Sequence, residues 1–348
     1  DEDPVNIQVA EKMGELHDAL LDSGYDGHDL EVFLVRLVYC LFADDTGIFN
    51  TKGEFEDYLR YKTKENGSDT GSILANMFQV LDTPYEKRQK TLDEDLVNFP
   101  YVNGDLFREP LRIAHFNGAM RELLLECCLF DWSKVSPAIF GSLFQSVMDK
   151  KRRRNLGAHY TSEKNILKVI YGLFLDDLRR EFEAIKNDAR KVTAFHNKIA
   201  AMRFFDPACG CGNFLVITYR EIRQLEIEVL QQYFMLTSKM YKAGVTQLET
   251  DIETISKIDV NQFYGIEIEE FPARIAQVAL WLTDHQMNMR LSQAFGQTYV
   301  RLPLQHAPNI ICDNALRKDW ETVIPSKEHL YILGNPPFIG KQNRNAAQ

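Results

Sequence analysis

The chain of 348 residues has an apolar fraction of 45% and a formal net charge of −10, a length and composition that suit two soluble globular domains. No apolar run is long enough to span a bilayer, and the opening DEDPVNIQVAEKMGEL has neither the basic segment nor the apolar core of a secretory signal. The acidic balance argues against a protein that grips nucleic acid with its whole surface; the six cysteines (Cys40, Cys127, Cys128, Cys209, Cys211 and Cys312) make no disulfide framework and read as reduced thiols of a cytoplasmic protein.

Residues 1–150 read as an all-α domain. DGHDLEVFLVRLVYCLFADD sets Leu30, Phe33, Leu34, Leu37, Val38 and Leu41 at helical spacing, with Asp26 or Asp29 as the cap. A second helix is expected to start after Asp69 or Thr70 and to stop before Pro84. NGAMRELLLECCLFDW and SPAIFGSLFQSVMD repeat the pattern, the latter with Ser136 as cap and Pro137 in the first turn. Nothing in this half names a reaction.

The domain boundary is expected at KKRRRNLGAHYTSEKN, which opens the second domain, 151–348. Its basic run, with Lys151, Arg152, Arg153 and Arg154, is either a solvated linker or a phosphate contact. From here the rhythm changes. SEKNILKVIYGLFLDDLRREFEAIK predicts a long amphipathic helix, and four short apolar runs then alternate with helical stretches, as in a parallel α/β sheet. The four runs end at Asp206, Glu267, Asp313 and Asn335, and ligands of such sheets sit at the carboxyl ends of the strands.

In DPACGCGNFL, Gly210 and Gly212 permit a tight turn and close approach of backbone to a ligand. The spacing is not that of the dinucleotide fingerprint, because Leu215 stands where a third Gly or Ala belongs. Cys209 and Cys211 lack companion ligands nearby and read as small buried thiols. Glu267, in YGIEIEE, can accept hydrogen bonds from ribose hydroxyls, or be a solvated strand-end acid. Glu226 or Glu228 fits the usual interval from the glycine turn better, but both lie in a smooth helical stretch, so Glu267 is preferred with an insertion between Glu228 and Val260. Asp313 can accept from an adenine amino group. Asn335-Pro336-Pro337 is a rigid segment whose amide and carbonyl oxygens form a pair of acceptors, suited to an exocyclic amino group, with Phe338 able to stack on the ring that bears it. Taken alone, it is also an ordinary rigid turn.

In order, GAHYTS, DPACGCGNFL, GIEIEE, CDNAL and NPPF resemble the class I S-adenosylmethionine-dependent DNA amino-methyltransferases, gamma class, which act on N6 of adenine. The resemblance covers Leu156 to Phe338. The helical half resembles, by layout, the spacer of the type IIL (MmeI-like) restriction–modification proteins. It implies a Rossmann-like methyltransferase sheet, truncated after the NPPF strand and preceded by the helical domain. It further implies that His159, Tyr160 and Thr161 pack near the methionine moiety of S-adenosylmethionine, and that Asp206, Ala208, Gly210, Gly212 and Asn213 line its methionine end. By the same resemblance Glu267 holds its ribose, Ile268 flanks its adenine, and Asp313 and Asn314 meet the adenine amino edge. Asn335, Pro336, Pro337 and Phe338 would hold a target base flipped out of double-stranded DNA. The expected chemistry is direct displacement, favoured by positioning and electrostatics. No Pro-Cys dipeptide is present to serve a cytosine-C5 mechanism.

The family's sheet has further strands and a later target-recognition domain, so the chain, which does not begin with Met, reads as a fragment. Nuclease and target-recognition domains are expected elsewhere in the same full-length chain, since no Asp…Glu-x-Lys cluster is evident in the first 150 residues. Asn-Pro-Pro-aromatic turns also serve enzymes acting on RNA, on cytosine N4 or on protein glutamine amides, and these stand as alternatives, as does a non-enzymatic scaffold of the same fold.

Overall fold

The structure is a computed structural model that describes residues 4–102, 106–138, 161–242, 256–296, 308–325 and 328–336. They fall into two compact units, one within 1–153 and the other within 154–348.

The first unit is helical: α1 Pro4–Asp22, α2 Gly27–Asp45, α3 Glu54–Lys62, α4 Thr70–Leu81, α5 Glu94–Val97 and α6 Gly118–Cys128. Helix α2 is apolar on nearly every side and is buried from Val32 to Asp44, as expected of a helix enclosed by others. The expected helices stand, but the expected capping bond at the start of α2 does not. Asp26 is the N-cap of α2 without a capping bond from its side chain. It accepts instead from Arg112 Nη2 at 3.3 Å, and Arg112 also pairs with Asp29. Asp69 precedes α4, yet its carboxylate accepts from the Lys64 main-chain N–H at 2.9 Å. In both places a nearer donor outcompetes the helix terminus. Asn117 does cap α6, accepting from Met120 N at 2.9 Å. The helix expected after Ser136 and Pro137 lies largely outside the described residues.

The second unit begins with α7 Glu163–Ile170, which runs through a π turn, Tyr171–Leu175, into α8 Asp176–Ile185; α9 Ala189–Ala201 follows. Then come β1 Arg203–Asp206, α10 Asn213–Lys242, β2 Phe263–Glu267, α11 Glu270–Phe295, β3 Asn309–Cys312 and β4 Leu330–Ile332. The sheet order is β3-β2-β1-β4 and every pairing is parallel, so this is a small Rossmann-like sheet. Both faces of the central strands β1 and β2 are covered, in keeping with parallel strands that read as continuous apolar runs, whereas the edge strands β3 and β4 are partly exposed, Ile332 by 51%. On one face Phe204 stacks on Phe263 at 4.9 Å between centroids and meets Phe174 at 5.2 Å. On the other, Phe205, Tyr264, Ile266 and Ile324 form a cluster edged by Trp320. Successive connections lead from β1 outward to β3 and then back past β1 to β4. The strand order therefore reverses between β1 and β4, the place where open α/β sheets bind ligands.

A buried polar network fixes the approach to β2. Glu226, wholly buried, accepts from His196 Nε2 at 2.8 Å, Lys257 N at 2.7 Å and Ile258 N at 3.1 Å, and pairs with Arg223 at 3.2 Å. Arg223 donates onward to Asn288 Oδ1 at 2.6 Å and to Ile258 O at 2.9 Å. Burial would raise the Glu226 carboxyl, but Arg223 and His196 bring it below the ordinary glutamate range.

Candidate active site

The chain leaves β1 at Asp206 and must reverse into α10 within six residues. Gly210 (φ +54°) and Gly212 (φ +82°) supply the left-handed backbone that this turn needs. Gly212 is also sterically required: a Cβ there would lie 2.8 Å from the Ala276 Cβ of α11. Around Gly210 nothing stands within 4 Å of such a Cβ, so its left-handed turn faces open space. Cys209 N donates to Ile266 O at 3.0 Å and fastens the turn to β2. Cys209 itself is buried and Cys211 half-buried, and burial pushes the Cys211 thiol up to about 12.

Glu267 ends β2 beside this turn. Its Oε2 accepts from Gly210 N at 2.8 Å and its Oε1 from Glu269 N at 3.1 Å. A carboxylate has about four lone-pair sites, so each oxygen keeps capacity for a ribose hydroxyl. Burial raises the Glu267 carboxyl above its usual range, against the main-chain donors that lower it. Asp206 is 1% exposed, and burial, with Glu267 adding to it, pushes its carboxyl up to about 7; Ala208 N donates to it at 3.0 Å.

Ile268, next to Glu267, leaves 57% of its surface exposed, an apolar surface just past the carboxyl end of β2. Asp313 N donates to Glu267 O at 2.9 Å, and the Asp313 carboxylate accepts from Asn314 N at 2.7 Å and lies 3.4 Å from Lys318 Nζ. The Asn314 side-chain oxygen is engaged by Leu316 N at 3.0 Å, which stabilises its own turn. The Asn213 side-chain oxygen, at the start of α10, is buried without a hydrogen-bond partner. An orphaned buried acceptor is costly unless a ligand completes it.

β4 brings the last group. Leu333 N donates to Phe205 O at 2.9 Å, extending the pairing of β4 with β1. At Gly334 (φ +151°) a Cβ would run into the Asp206 carboxylate. Asn335 follows, and its Nδ2 donates to Thr161 Oγ1 at 3.0 Å. Thus Asp206 and Asn335 stand on either side of Gly334 at the strand-order reversal, with Glu267 one strand away.

Residues 182–348 match the DNA-methyltransferase domain of MmeI, and residues 28–107 match the MmeI helicase spacer domain. The chain thus carries two MmeI-type domains. Over 352 aligned residues it is 38% identical to DNA methyltransferase A of Bacillus subtilis (strain 168), an alignment covering 99% of this chain and 38% of that protein. It also superposes on the solved structure of the type IIL restriction–modification enzyme MmeI in complex with DNA. The TM-score is 0.88 and the identity 58%, over all of this chain and 45% of that one. The chain spans less than half the length of each of these relatives.

In the second unit, the described residues bring together Thr161, Asp206, Ala208, Gly210, Gly212, Asn213, Glu267, Ile268, Asp313, Asn314, Asn335 and Pro336 at the carboxyl edge of the sheet or on the segments that meet it. His159, Tyr160, Pro337, Phe338 and the basic residues Lys151, Arg152, Arg153 and Arg154 lie outside the described residues. Of the alternative ribose acids, Glu226 is enclosed in the network with Arg223 and His196, and Glu228 pairs with Arg179 at 3.1 Å. Gly334 escaped the sequence reading, although its place between an apolar strand and Asn335 was the available signal.

Proposed function

We propose that the full-length protein is a site-specific DNA methyltransferase of a restriction–modification system, transferring a methyl group from S-adenosylmethionine to N6 of adenine. In this reading 1–150 is the spacer, 151–348 contributes the methyltransferase domain, and nuclease and target-recognition domains complete the same chain. The observation that carries it is the joint arrangement of Glu267, Asp206 and Asn335 at the reversal of strand order. The kinship with MmeI, itself solved in complex with DNA, supports double-stranded DNA as the partner.

The residues suit the cofactor. Glu267 has free lone pairs for two ribose hydroxyls, Ile268 an apolar flank for adenine, and Asp313 an acceptor for its amino edge. The orphaned Asn213 oxygen and the Asp206–Glu267 pair of carboxyls favour the ammonium and sulfonium end. Bound there, S-adenosylmethionine supplies an electrophilic methyl group. Asn335 Oδ1 and the Pro336 carbonyl accept from the two hydrogens of the target amino group and aim its nitrogen. Methyl transfer to that nitrogen would be a direct displacement, with sulfur keeping the electron pair of the C–S bond, and the part of Asn335 Oδ1 and the Pro336 carbonyl would be to fix the nitrogen's approach. The surplus N–H proton then passes to water. Acceptors fixed in advance stabilise the positive charge that grows on nitrogen in the transition state, and Phe338 stacks on the flipped base.

The test is full-length Asn335→Ala with labelled S-adenosylmethionine and methylation-free DNA. Transfer should be lost while cofactor binding is kept, and digestion of the wild-type product should yield N6-methyladenine. N4-methylcytosine would overturn the base assignment, and full activity of Asn335→Ala would overturn the mechanism.

A further inference from the structure

The hydrogen bond between Asn335 and Thr161 joins residues 174 positions apart in sequence, and both ends are held by the fold. Thr161 directly precedes Ser162, the N-cap of α7, whose carbonyl accepts from Asn165 N at 2.9 Å and Ile166 N at 3.1 Å. Ile166 is buried without exposed surface, and Glu163 pairs with Arg220 of α10 at 2.8 Å. The hydroxyl therefore stands on an anchored helix start. Asn335 follows Leu333, which is 5% exposed and bonded to β1, and Gly334, which leaves no room for a side chain above Asp206.

We propose that Thr161 is a positioning residue for methyl transfer: its hydroxyl takes the nitrogen of the Asn335 amide and so keeps the amide oxygen available to the target amino group. The inference rests on the function proposed above. An amide has one accepting and one donating side. A flipped Asn335 could still bond to Thr161, because a hydroxyl also donates, but it would then turn its NH2 toward the substrate's NH2, donor against donor. Only the observed orientation serves an amino substrate. The hydroxyl thus holds the amide in place in either orientation and leaves the choice to the substrate, which accepts only the one presenting oxygen; without this hydrogen bond the amide loses that anchor and turns away from the productive geometry for part of the population. The resemblance to the gamma-class enzymes implied a different duty for Thr161, contact with the methionine end of the cofactor, and the two duties predict different measurements.

Full-length Thr161→Val and Thr161→Ser are compared with wild type and with Asn335→Ala. The measurements are methyl transfer from labelled S-adenosylmethionine to methylation-free plasmid DNA at saturation, calorimetry with S-adenosylhomocysteine, and DNA affinity by gel shift. Thr161→Val should lower kcat by about five- to ten-fold, the size of one hydrogen bond, with both affinities unchanged, and Thr161→Ser should restore most of the rate. If Thr161→Val does not fold, Thr161→Ala is read in its place. An unchanged kcat in the Val or Ala variant, while Asn335→Ala is inactive, overturns the inference and leaves the proposed function standing. So does a loss of S-adenosylhomocysteine affinity that accounts for the loss of rate, since it returns Thr161 to the cofactor. A fully active Asn335→Ala overturns the proposed function and this inference with it.

Discussion

The main-chain N–H of Gly210 donates to the carboxylate of Glu267 at 2.8 Å, so the glycine turn after one strand is fastened to the acid that ends its neighbour. Glu267 has a structural duty before any ligand arrives. Glu267→Ala removes the turn's fastening and the proposed ribose acceptor together, whereas Glu267→Gln keeps one acceptor. Calorimetry with S-adenosylhomocysteine should give affinity falling in the order wild type, Gln, Ala, the Ala variant losing at least ten-fold, or about 1.4 kcal/mol. Equal affinities would mean that no acid holds the ribose, because Glu226 and Glu228 are both committed elsewhere.

The two glycines of the turn should separate under substitution. Gly210→Ala meets open space and adds about 1 kcal/mol of left-handed backbone strain, so melting should drop slightly while S-adenosylhomocysteine affinity drops sharply as the new methyl intrudes on the ligand. Gly212→Ala adds a clash with Ala276 to the same kind of strain and should lower the melting temperature more than Gly210→Ala does. The reverse order of melting temperatures would contradict the packing at α11.

Asp206 gives a pH signature. Its carboxyl titrates near 7 in the fold because it is buried and faces Glu267, but in the ordinary aspartate range when unfolded. Between these values the folded state holds a proton that the unfolded state has released, so stability falls as pH rises. The stabilisation is fully present below about pH 4 and lost by about pH 7, an effect of up to about 4 kcal/mol. Asp206→Asn has no such proton to lose. Denaturant melts of both proteins across this range should show wild type losing ground to Asp206→Asn as pH rises; parallel curves would contradict it.

The basic run should act on DNA without regard to sequence. Replacing Arg152, Arg153 and Arg154 by Ala in the full-length protein should weaken all DNA alike and reduce the slope of log K against log salt by up to about 3. A changed sequence preference with an unchanged slope would remove these residues from the phosphate backbone.

Much of the site was legible because strand ends carry unusual residues. An apolar strand that runs into Asp206, Glu267 or Asn335 departs from the apolar pattern around it, and that departure is visible in one dimension. The Asn335–Thr161 contact was not, since it depends on two segments meeting from far apart in the chain. Nor was the network around Glu226: an acid on an apolar helix looks solvated until Arg223 and His196 are seen to enclose it. Helix α9 also escaped notice, although Asp188 caps it by accepting from Arg190 N at 3.0 Å and Lys191 N at 3.2 Å. Asp26 makes no capping bond for the converse reason, since local sequence does not reveal a competing donor such as Arg112, 86 positions away.

The π turn at Tyr171–Leu175 explains a spacing in the helix that carries it. Ile166, Ile170, Phe174, Leu178 and Phe182 are all buried, and each stands four positions after the last. In an unbroken α-helix, at about 100° per residue, a step of four overshoots by about 40°, so four steps would rotate Phe182 by about 160° from Ile166, nearly to the opposite side. The wider turn absorbs one residue and takes back about 100° of that drift. A strict period of four, sustained over five apolar positions, is thus a one-dimensional signature of a π turn. It also means that losing one residue at the exposed Gly172 would leave a plain α-helix with its apolar stripe still in phase.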